Sequence, residues 1–257
     1  MRRVRIIPAL LMENGGLVKT IGFNERKYVG DPINTVKILN DKEVDEVVLL
    51  DIGASKNSTS PNIDLITEIA SECFMPLAYG GGVTELSQIK QILNAGVEKV
   101  IFNTSFFDNP NLIQEAAKIY GSQSIVVSLD VKKRRLLGGY QVKTIGGKLT
   151  QKLTPVEASI KAVTLGAGEI IITSIDNDGR MTGYDLELTK SVSEAVSVPV
   201  IACGGAGSMG DFVSVINEGH ASAAAAGSLF VFKGPHRAVL VNYPEQKVLN
   251  DEVYNRL

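Results

Sequence analysis

Short apolar runs alternate with longer amphipathic stretches along the whole chain. The runs are rich in Val and Ile and are bounded by Gly, Asn or Asp, which is typical of buried parallel strands. Apolar residues at helical spacing fill the gaps, so the pattern predicts eight strand–helix units. The predicted strands lie near 4–10, 46–51, 75–79, 98–103, 124–130, 169–174, 198–203 and 222–226, and the predicted helices span 32–40, 62–72, 86–94, 110–120, 155–165, 184–195 and 209–218.

The second half of the chain repeats four landmarks of the first half in the same order, which indicates an internal duplication. Two equal halves, about 1–121 and 122–245, predict a single (β/α)8 TIM barrel over 1–257, because such barrels usually have about 250 residues. An open doubly wound sheet is the alternative, and the doubled four-unit period argues against it. The matched segments are 6–11 with 125–130, 50–53 with 174–177, 79–82 with 203–206 and 103–105 with 226–228, at offsets of 119, roughly 124 (125 from Asp51 to Asp176), roughly 124 and 123 residues.

Composition narrows the class of protein. Hydrophobic residues make up 44% and charged residues 21%, and no apolar run approaches the length of about 20 that a bilayer requires. A net charge of −2 gives no electrostatic case for nucleic acid. Cys73 and Cys203 are expected to be reduced and buried, which suits the cytoplasm. His220 and His236 are the only histidines and form no metal-ligand motif, so we expect neither a metal nor a cofactor.

Glycine- and hydroxyl-rich loops follow four of the predicted strands. Chemistry in such barrels takes place at the C-terminal ends of the strands, so these loops would share one face. Glycine lets backbone N–H groups approach an anion, and the start of the next helix adds partial positive charge. We therefore predict two phosphate cradles and a ligand with two phosphates, with tight turns that bind nothing as the alternative. The first cradle comprises Gly81, Gly82, Asn103 and Thr104, and the second comprises Gly204, Gly205, Gly227 and Ser228.

Ionisable residues near the strand ends are the candidates for chemistry. A carboxylate at the end of a buried strand can transfer protons, so Asp130 is the candidate acid or base. Its counterpart in the first half is Leu11, which cannot. Asp51 and Asp176 occupy matching places in the two halves, and each either orders its loop or contacts the ligand. Lys19 lies in a first loop that runs to about residue 30, and it either closes over a phosphate or is simply solvated.

Ten motifs spread over nearly the whole chain resemble one family. They are Arg5-Ile6-Ile7-Pro8, Gly15 to Lys19, Gly30-Asp31-Pro32, Leu50-Asp51-Ile52, Gly80-Gly81-Gly82, Gly121-Ser122-Gln123, Leu129-Asp130, the segment Thr173 to Gly179, Gly183-Tyr184-Asp185 and the segment Ile201 to Gly207. Together they resemble the cyclase subunit of imidazole glycerol phosphate synthase, a lyase of histidine biosynthesis. The resemblance places Lys19, Asp51, Asp176 and Gly179 with the cradles as substrate-binding residues.

The resemblance implies a barrel that pairs with a glutaminase of the class I amidotransferase type. Ammonia released there would pass through the barrel to the upper face and attack a bis-phosphorylated ribulosyl aminoimidazole. In the family two aspartates, at the ends of the first and fifth strands, act as general acid and base. This sequence matches the second with Asp130 and has Leu11 at the first.

Four charged residues lie at or near the starts of strand runs in units one, two, four and six, and unrelated solvated charges are the alternative. The resemblance implies that they ring the bottom of the barrel and gate the entry of ammonia. They are Arg5, Glu46, Lys99 and Glu169.

Leu11 divides the functional interpretations. We favour a divergent paralogue that resembles cyclase-like proteins of bacterial surface-sugar (lipopolysaccharide) pathways. Such a barrel would pass ammonia to a third, amidotransferase-like protein that turns an acetamido sugar into an acetamidino sugar. The alternatives are a genuine cyclase subunit and a module without catalysis that only activates the glutaminase.

Overall fold

Eight parallel strands close into a barrel in the computed structural model, which describes residues 4–134 and 138–257. Each strand pairs with the next, and the eighth pairs with the first, so the ring has no free edge. The predicted (β/α)8 barrel is therefore confirmed. In chain order the barrel strands are β1 Arg5–Glu13, β2 Val47–Asp51, β3 Leu77–Gly80, β4 Lys99–Phe102, β5 Ile125–Lys133, β6 Glu169–Ser174, β7 Val200–Cys203 and β8 Ala223–Ala226.

Helices follow the strands where the sequence predicts them, with ends that differ by no more than two residues. Local chemistry fixes their starts: the Asp31 carboxylate accepts from the backbone N–H of Asn34, and Thr154 forms a capping box with Glu157. These helices are Pro32–Asp41, Ile63–Ser71, Leu86–Asn94, Pro110–Tyr120, Pro155–Thr164, Leu186–Ser193 and Met209–Asn217, with short helices at Ala54–Asn57, Thr104–Asp108, Ser228–Val231 and Gln246–Glu252 and 3-10 turns at Ser122–Ser124 and Tyr254–Arg256.

Strands β1 and β5 run three residues past their predicted ends because each continues into an antiparallel hairpin above the barrel. The first loop, predicted to run to about residue 30, is therefore largely β-structure. The sequence gives little sign of this, since the hairpin strands are polar on their exposed side. The additional strands are Gly16–Ile21, Asn24–Gly30, Tyr140–Thr144 and Leu149–Thr150, and a small separate hairpin pairs Phe232–Lys233 with Ala238–Val239.

Strand register corrects the alignment of the two halves. Leu11 pairs with Leu50, and Asp130 pairs with Thr173, so Leu11 and Asp130 do occupy equivalent places. One residue further along, Met12 pairs with Asp51, and Val131 pairs with Ser174. Asp51 and Ser174 are therefore equivalent, at an offset of 174 − 51 = 123 residues. The predicted match to Asp176 is wrong by two residues, because it aligned like letters instead of hydrogen-bonded positions.

The inside of the barrel and the space between barrel and helices form separate apolar clusters. Side chains alternate along each strand, so in β8 Ala223 and Ala225 face inward while Ala224 and Ala226 face the helices. Within the described residues no helix is long and apolar enough to span a membrane.

Candidate functional site

A cavity of about 850 Å3 opens at the C-terminal ends of the strands. The barrel brings together there almost all the residues that the sequence assigned to the upper face, from both halves of the chain. Among these residues Asp176 is the exception, because it does not line the cavity. The lining includes Leu11, Lys19, Asp51, Gly81, Gly82, Asn103, Thr104, Asp130, Gly179, Gly204, Gly205, Gly227 and Ser228.

Asp130 lies where β5 leaves the barrel, with its carboxylate toward the cavity. The side-chain amide of Asn103 donates to this carboxylate at 3.2 Å and to the carbonyl of Ser128 at 2.9 Å. Burial raises the pKa of Asp130 to about 7, the nearby charge of Asp178 adds to the rise, and the Asn103 hydrogen bond opposes it. A carboxyl group with a pKa near neutrality can both donate and accept a proton under physiological conditions.

Leu11 presents an isobutyl group to the same cavity from the equivalent position on β1. Neither following residue replaces a carboxyl there. Met12 is buried in the outer apolar core, and the carboxylate of Glu13 pairs with Arg26 at 2.8 Å. Among the described residues of the first strand, none offers a carboxyl to the cavity.

Lys19 lies on a hairpin strand and is only 6% exposed, so the prediction of a loop lysine is corrected. Its ammonium reaches across to the second cradle: a Cβ added to Gly227 would lie 1.9 Å from Nζ. Within the described residues this ammonium has no hydrogen bond or ion pair. Burial lowers the pKa of Lys19, and the charge of Asp178 opposes that change. A buried cation without a partner, facing a cavity, is the electrostatic complement of an anion.

The cradle glycines are required by close backbone packing. A Cβ on Gly81 would lie 2.5 Å from the carbonyl oxygen of Asp51, and one on Gly204 would lie 2.7 Å from that of Ser174. Both glycines also have positive φ. The tight-turn interpretation therefore explains the glycines without a ligand. The short helices that follow β4 and β8 begin at the cavity without side-chain caps, which leaves their first N–H groups to face it.

The acids after β2 and β6 have different roles. Asp51 accepts hydrogen bonds from Gly53 and Ala54 N–H at 3.0 and 3.1 Å, and it therefore orders its own loop. Asp176 accepts from the N–H of Lys133 at 2.8 Å, away from the cavity. Asp178 faces the cavity instead and accepts from the Thr20 hydroxyl at 2.6 Å. The resemblance and the match to Asp51 placed Asp176 at the substrate, whereas the aspartate that lines the cavity after β6 is Asp178.

The bottom of the barrel carries a closed ring of four charges, which we call the charged ring. Arg5 pairs with both Glu46 and Glu169. Lys99 also pairs with both, at 2.8 Å to Glu46 and 2.9 Å to Glu169. Burial acts to lower the pKa of Arg5, but hydrogen bonds and charges from the two carboxylates outweigh it and raise that pKa. The four residues therefore form one alternating network, which excludes unrelated solvated charges.

Small side chains separate the charged ring from the cavity. The cluster inside the barrel contains Ala9, Ala78, Ala223 and Ala225 among branched apolar residues. Cys203 packs against the top of this cluster and lines the cavity, and burial raises the pKa of its thiol to about 11. Both cysteines are unpaired but only partly buried, so the expectation of full burial was wrong.

Comparison with known proteins agrees with this geometry. A family model described as histidine biosynthesis protein matches residues 5–235. The chain belongs to the histidine biosynthesis protein family. It is 48% identical over 250 residues to a Pseudomonas aeruginosa protein with the provisional name imidazole glycerol phosphate synthase subunit hisF2, a match that covers 97% of this chain and 99% of the relative.

Two further relatives are similar to this chain over nearly its whole length. A Vibrio vulnificus protein with the provisional name imidazole glycerol phosphate synthase subunit hisF3 is 50% identical over 244 residues, covering 95% of this chain and 94% of the relative. The imidazole glycerol phosphate synthase subunit HisF of Clostridium botulinum is 42% identical over 243 residues, covering 95% and 96%. The resemblance to the cyclase subunit of imidazole glycerol phosphate synthase is thus confirmed at the level of the family.

Two residues near the cavity received no role in the sequence analysis. Asp178 lies within the motif from Thr173 to Gly179, and its hydrogen bond to Thr20 joins the two halves of the cavity. Arg237, in the hairpin after β8, donates to the hydroxyl of Ser228. Its position at the cavity edge could not be read from the sequence, because Arg237 reaches that edge only after the chain turns back.

Proposed function

We propose that this barrel receives ammonia from a glutaminase subunit docked below it and conducts the ammonia to the upper cavity. We further propose that the ammonia serves the amidination of a bacterial surface sugar and not the cyclisation of a ribotide. The observation that carries this proposal is the contrast between an intact charged ring at the bottom and Leu11 at the top. Conduction would be retained while one of two proton-transfer groups is missing.

The charged ring suits a gate. Its four charges are mutually compensated, so it can remain in a low-dielectric barrel without a counterion from outside. Each lysine or arginine contact is a hydrogen bond that can break and re-form, whereas a packed apolar plug would have to unpack. The barrel interior above it is apolar and includes small residues such as Ala78 and Ala223, so passage there would favour a small neutral molecule over an ion.

The top of the barrel retains only part of the chemistry that cyclisation requires. Asp130 can still transfer a proton near neutral pH, as its raised pKa indicates. Removing one general acid or base typically costs about 10²- to 10⁴-fold in rate. With Leu11 opposite Asp130, a cyclase would be slowed by that factor.

A cyclisation assay with purified barrel, ammonium salt and the bis-phosphorylated ribotide tests the chemistry. We expect turnover well below about 1 per second, the low end for enzymes. Leu11→Asp should raise the rate by about 10²-fold or more, while the control Leu11→Asn, similar in size but unable to transfer a proton, should not. Cyclisation by the unaltered protein at about 1 per second or faster would show that the proposal is wrong.

The glutaminase partnership has its own test. Mixing the barrel with a glutaminase subunit of the class I amidotransferase type from the same organism should give a stable complex and raise glutamine hydrolysis. Lys99→Met should change ammonia transfer because Lys99 bonds both glutamates of the charged ring. The matched control is Lys90→Met, which alters an exposed lysine on a helix. Absence of a complex, or equal effects of the two variants, would exclude the gate.

A genuine cyclase subunit of histidine biosynthesis is the second candidate. The pKa of about 7 at Asp130 favours it, and so does the name of the Clostridium botulinum relative. The third candidate, a module that only activates the glutaminase, would have no use for the charged ring. Only the first proposal expects ammonia to reach a sugar-amidating third protein, so this transfer distinguishes it from the cyclase and from the glutaminase-activating module.

A further inference from the structure

Arg237 touches the edge of the second cradle from the hairpin that follows the last barrel strand. It lies in the turn between Phe232–Lys233 and Ala238–Val239. Its guanidinium donates to the Ser228 hydroxyl at 3.4 Å and to the carbonyl of Gly179 at 3.1 Å, and it stacks 4.6 Å from the ring centroid of Phe232. Two of these contacts are with residues that line the cavity.

The first cradle provides an internal comparison. Thr104 starts the helix after β4 as Ser228 starts the one after β8. The Thr104 hydroxyl accepts from the backbone N–H of Ile145 at 3.4 Å and lies 3.3 Å from the side-chain oxygen of Asn103. The hydroxyl of the first cradle therefore has a neutral donor and a protein acceptor. The hydroxyl of the second has a cationic donor and, among the described residues, no protein acceptor.

This difference orients the Ser228 hydroxyl. Because Arg237 occupies one lone pair of the oxygen, the hydroxyl hydrogen must point elsewhere, and the open side is the cavity. A charged donor also polarises the O–H bond, which strengthens it as a donor to an anion. The unpaired ammonium of Lys19 lies beside Gly227 in the same cradle. The second cradle thus has two features that favour an anion: the Lys19 ammonium lies beside it, and its Ser228 hydroxyl is oriented by the Arg237 guanidinium.

We propose that Arg237 is a positioning residue that makes the second cradle the stronger of the two sites for phosphate. This rests on the cradles being phosphate sites, as the sequence predicts, and not on the fate of the ammonia in the proposed function. A ligand with one phosphate would therefore bind with that group at the second cradle.

Titration with inorganic phosphate, followed by amide NMR, tests the two cradles separately. The resonances of Gly82 and Gly227 report the first and second cradles. In the unaltered protein we expect Gly227 to titrate at about tenfold lower phosphate than Gly82, the effect of one charge-assisted hydrogen bond. Arg237→Met should lower this preference and leave only what Lys19 contributes, and Arg237→Lys, which keeps the charge, should restore part of the loss.

Two further variants separate positioning from a general effect on charge or folding. Arg180→Met is the matched control, since the Arg180 side chain donates to a backbone carbonyl on the same face without touching Ser228. It should leave the preference within about twofold, as weak surface electrostatics predicts. In Ser228→Ala protein, the further change Arg237→Met should have no additional effect, because the hydroxyl through which it acts is gone.

Three outcomes would overturn the inference. They are a failure of phosphate to shift Gly227 at millimolar concentration, an unchanged preference in Arg237→Met protein, and an effect of Arg237→Met that persists in Ser228→Ala protein. The first would remove the anion site altogether while leaving ammonia transfer to be judged by the glutaminase experiment. Retained cyclisation in the ribotide assay would contradict the proposed function without altering these phosphate titrations.

Discussion

Replacing Asp130 with asparagine should stabilise the barrel in a way that depends on pH. The pKa of Asp130 rises from 3.8 to about 7 in the folded protein, chiefly because the carboxyl is buried. Between these values the unfolded chain has lost the proton that the folded chain retains. The stability contributed by protonated Asp130 is therefore complete below pH 3.8 and is lost as pH rises through about 7.

The magnitude follows from the two pKa values. At about 1.4 kcal/mol for each pH unit between them, the cost of ionising Asp130 is on the order of 4 kcal/mol in a dry site. The carboxyl faces an open cavity that water can enter, so we expect about half of this, roughly 2 kcal/mol, between about pH 4.5 and about pH 8. Asparagine keeps the size and the hydrogen bonding but has no charge to desolvate.

Guanidinium unfolding of both proteins at the two pH values measures the effect. The free energy of unfolding of Asp130→Asn minus that of the unaltered protein should be larger at the higher pH than at the lower pH, by about 2 kcal/mol. Asp108→Asn, at an exposed carboxyl of the same cavity, is the control and should show no such difference. A gap for Asp130→Asn that stays constant with pH, or an NMR titration of its carboxyl carbon near pH 4, would refute the reasoning.

Three other substitutions separate backbone packing from electrostatics. Gly205→Ala should lower the free energy of unfolding by about 2 kcal/mol or more, because its Cβ would lie 2.0 Å from the carbonyl oxygen of Gly183 at positive φ. Gly227→Ala should lower the free energy of unfolding by about 1 kcal/mol or more, because its Cβ would lie 2.9 Å from the backbone carbonyl oxygen of Ala9 and against the buried Lys19 ammonium, and it should weaken phosphate binding in the NMR titration. Glu46→Gln should destabilise the barrel by about 3 kcal/mol in chemical unfolding, because it leaves buried cations in the charged ring under-compensated; a change under about 0.5 kcal/mol would mean that solvent screens the ring.

The elements of the fold were largely predictable from the sequence. Buried parallel strands are apolar on both faces, and the helices between them begin at prolines or capping residues, as at Pro32 and Thr154. These are local signals, so they survive without knowledge of the tertiary structure. The glycines of the cradles and Asp130 were also predictable, because a chain that leaves a barrel strand must end on one face.

The hairpins and the alignment of the two halves were harder to predict from the sequence. Residues 16–30 lack a strong apolar pattern because one side of their hairpin faces solvent. Asp51 was matched to Asp176 on identity of type, whereas hydrogen-bond register matches it to Ser174. Register depends on how strands pair across the barrel, which is not encoded in the spacing of either strand alone.

The sequence by itself determined that eight strand–helix units repeat as two halves, that Asp130 has Leu11 as its counterpart, and that charged residues precede several strands. Only the tertiary structure decided which of these groups meet. Barrel closure brings Arg5 to Glu169 and buries Lys19 beside Gly227. Residues so distant in sequence are brought together by the packing of the whole barrel, whereas periodicity and motifs report only a residue's near neighbours along the chain.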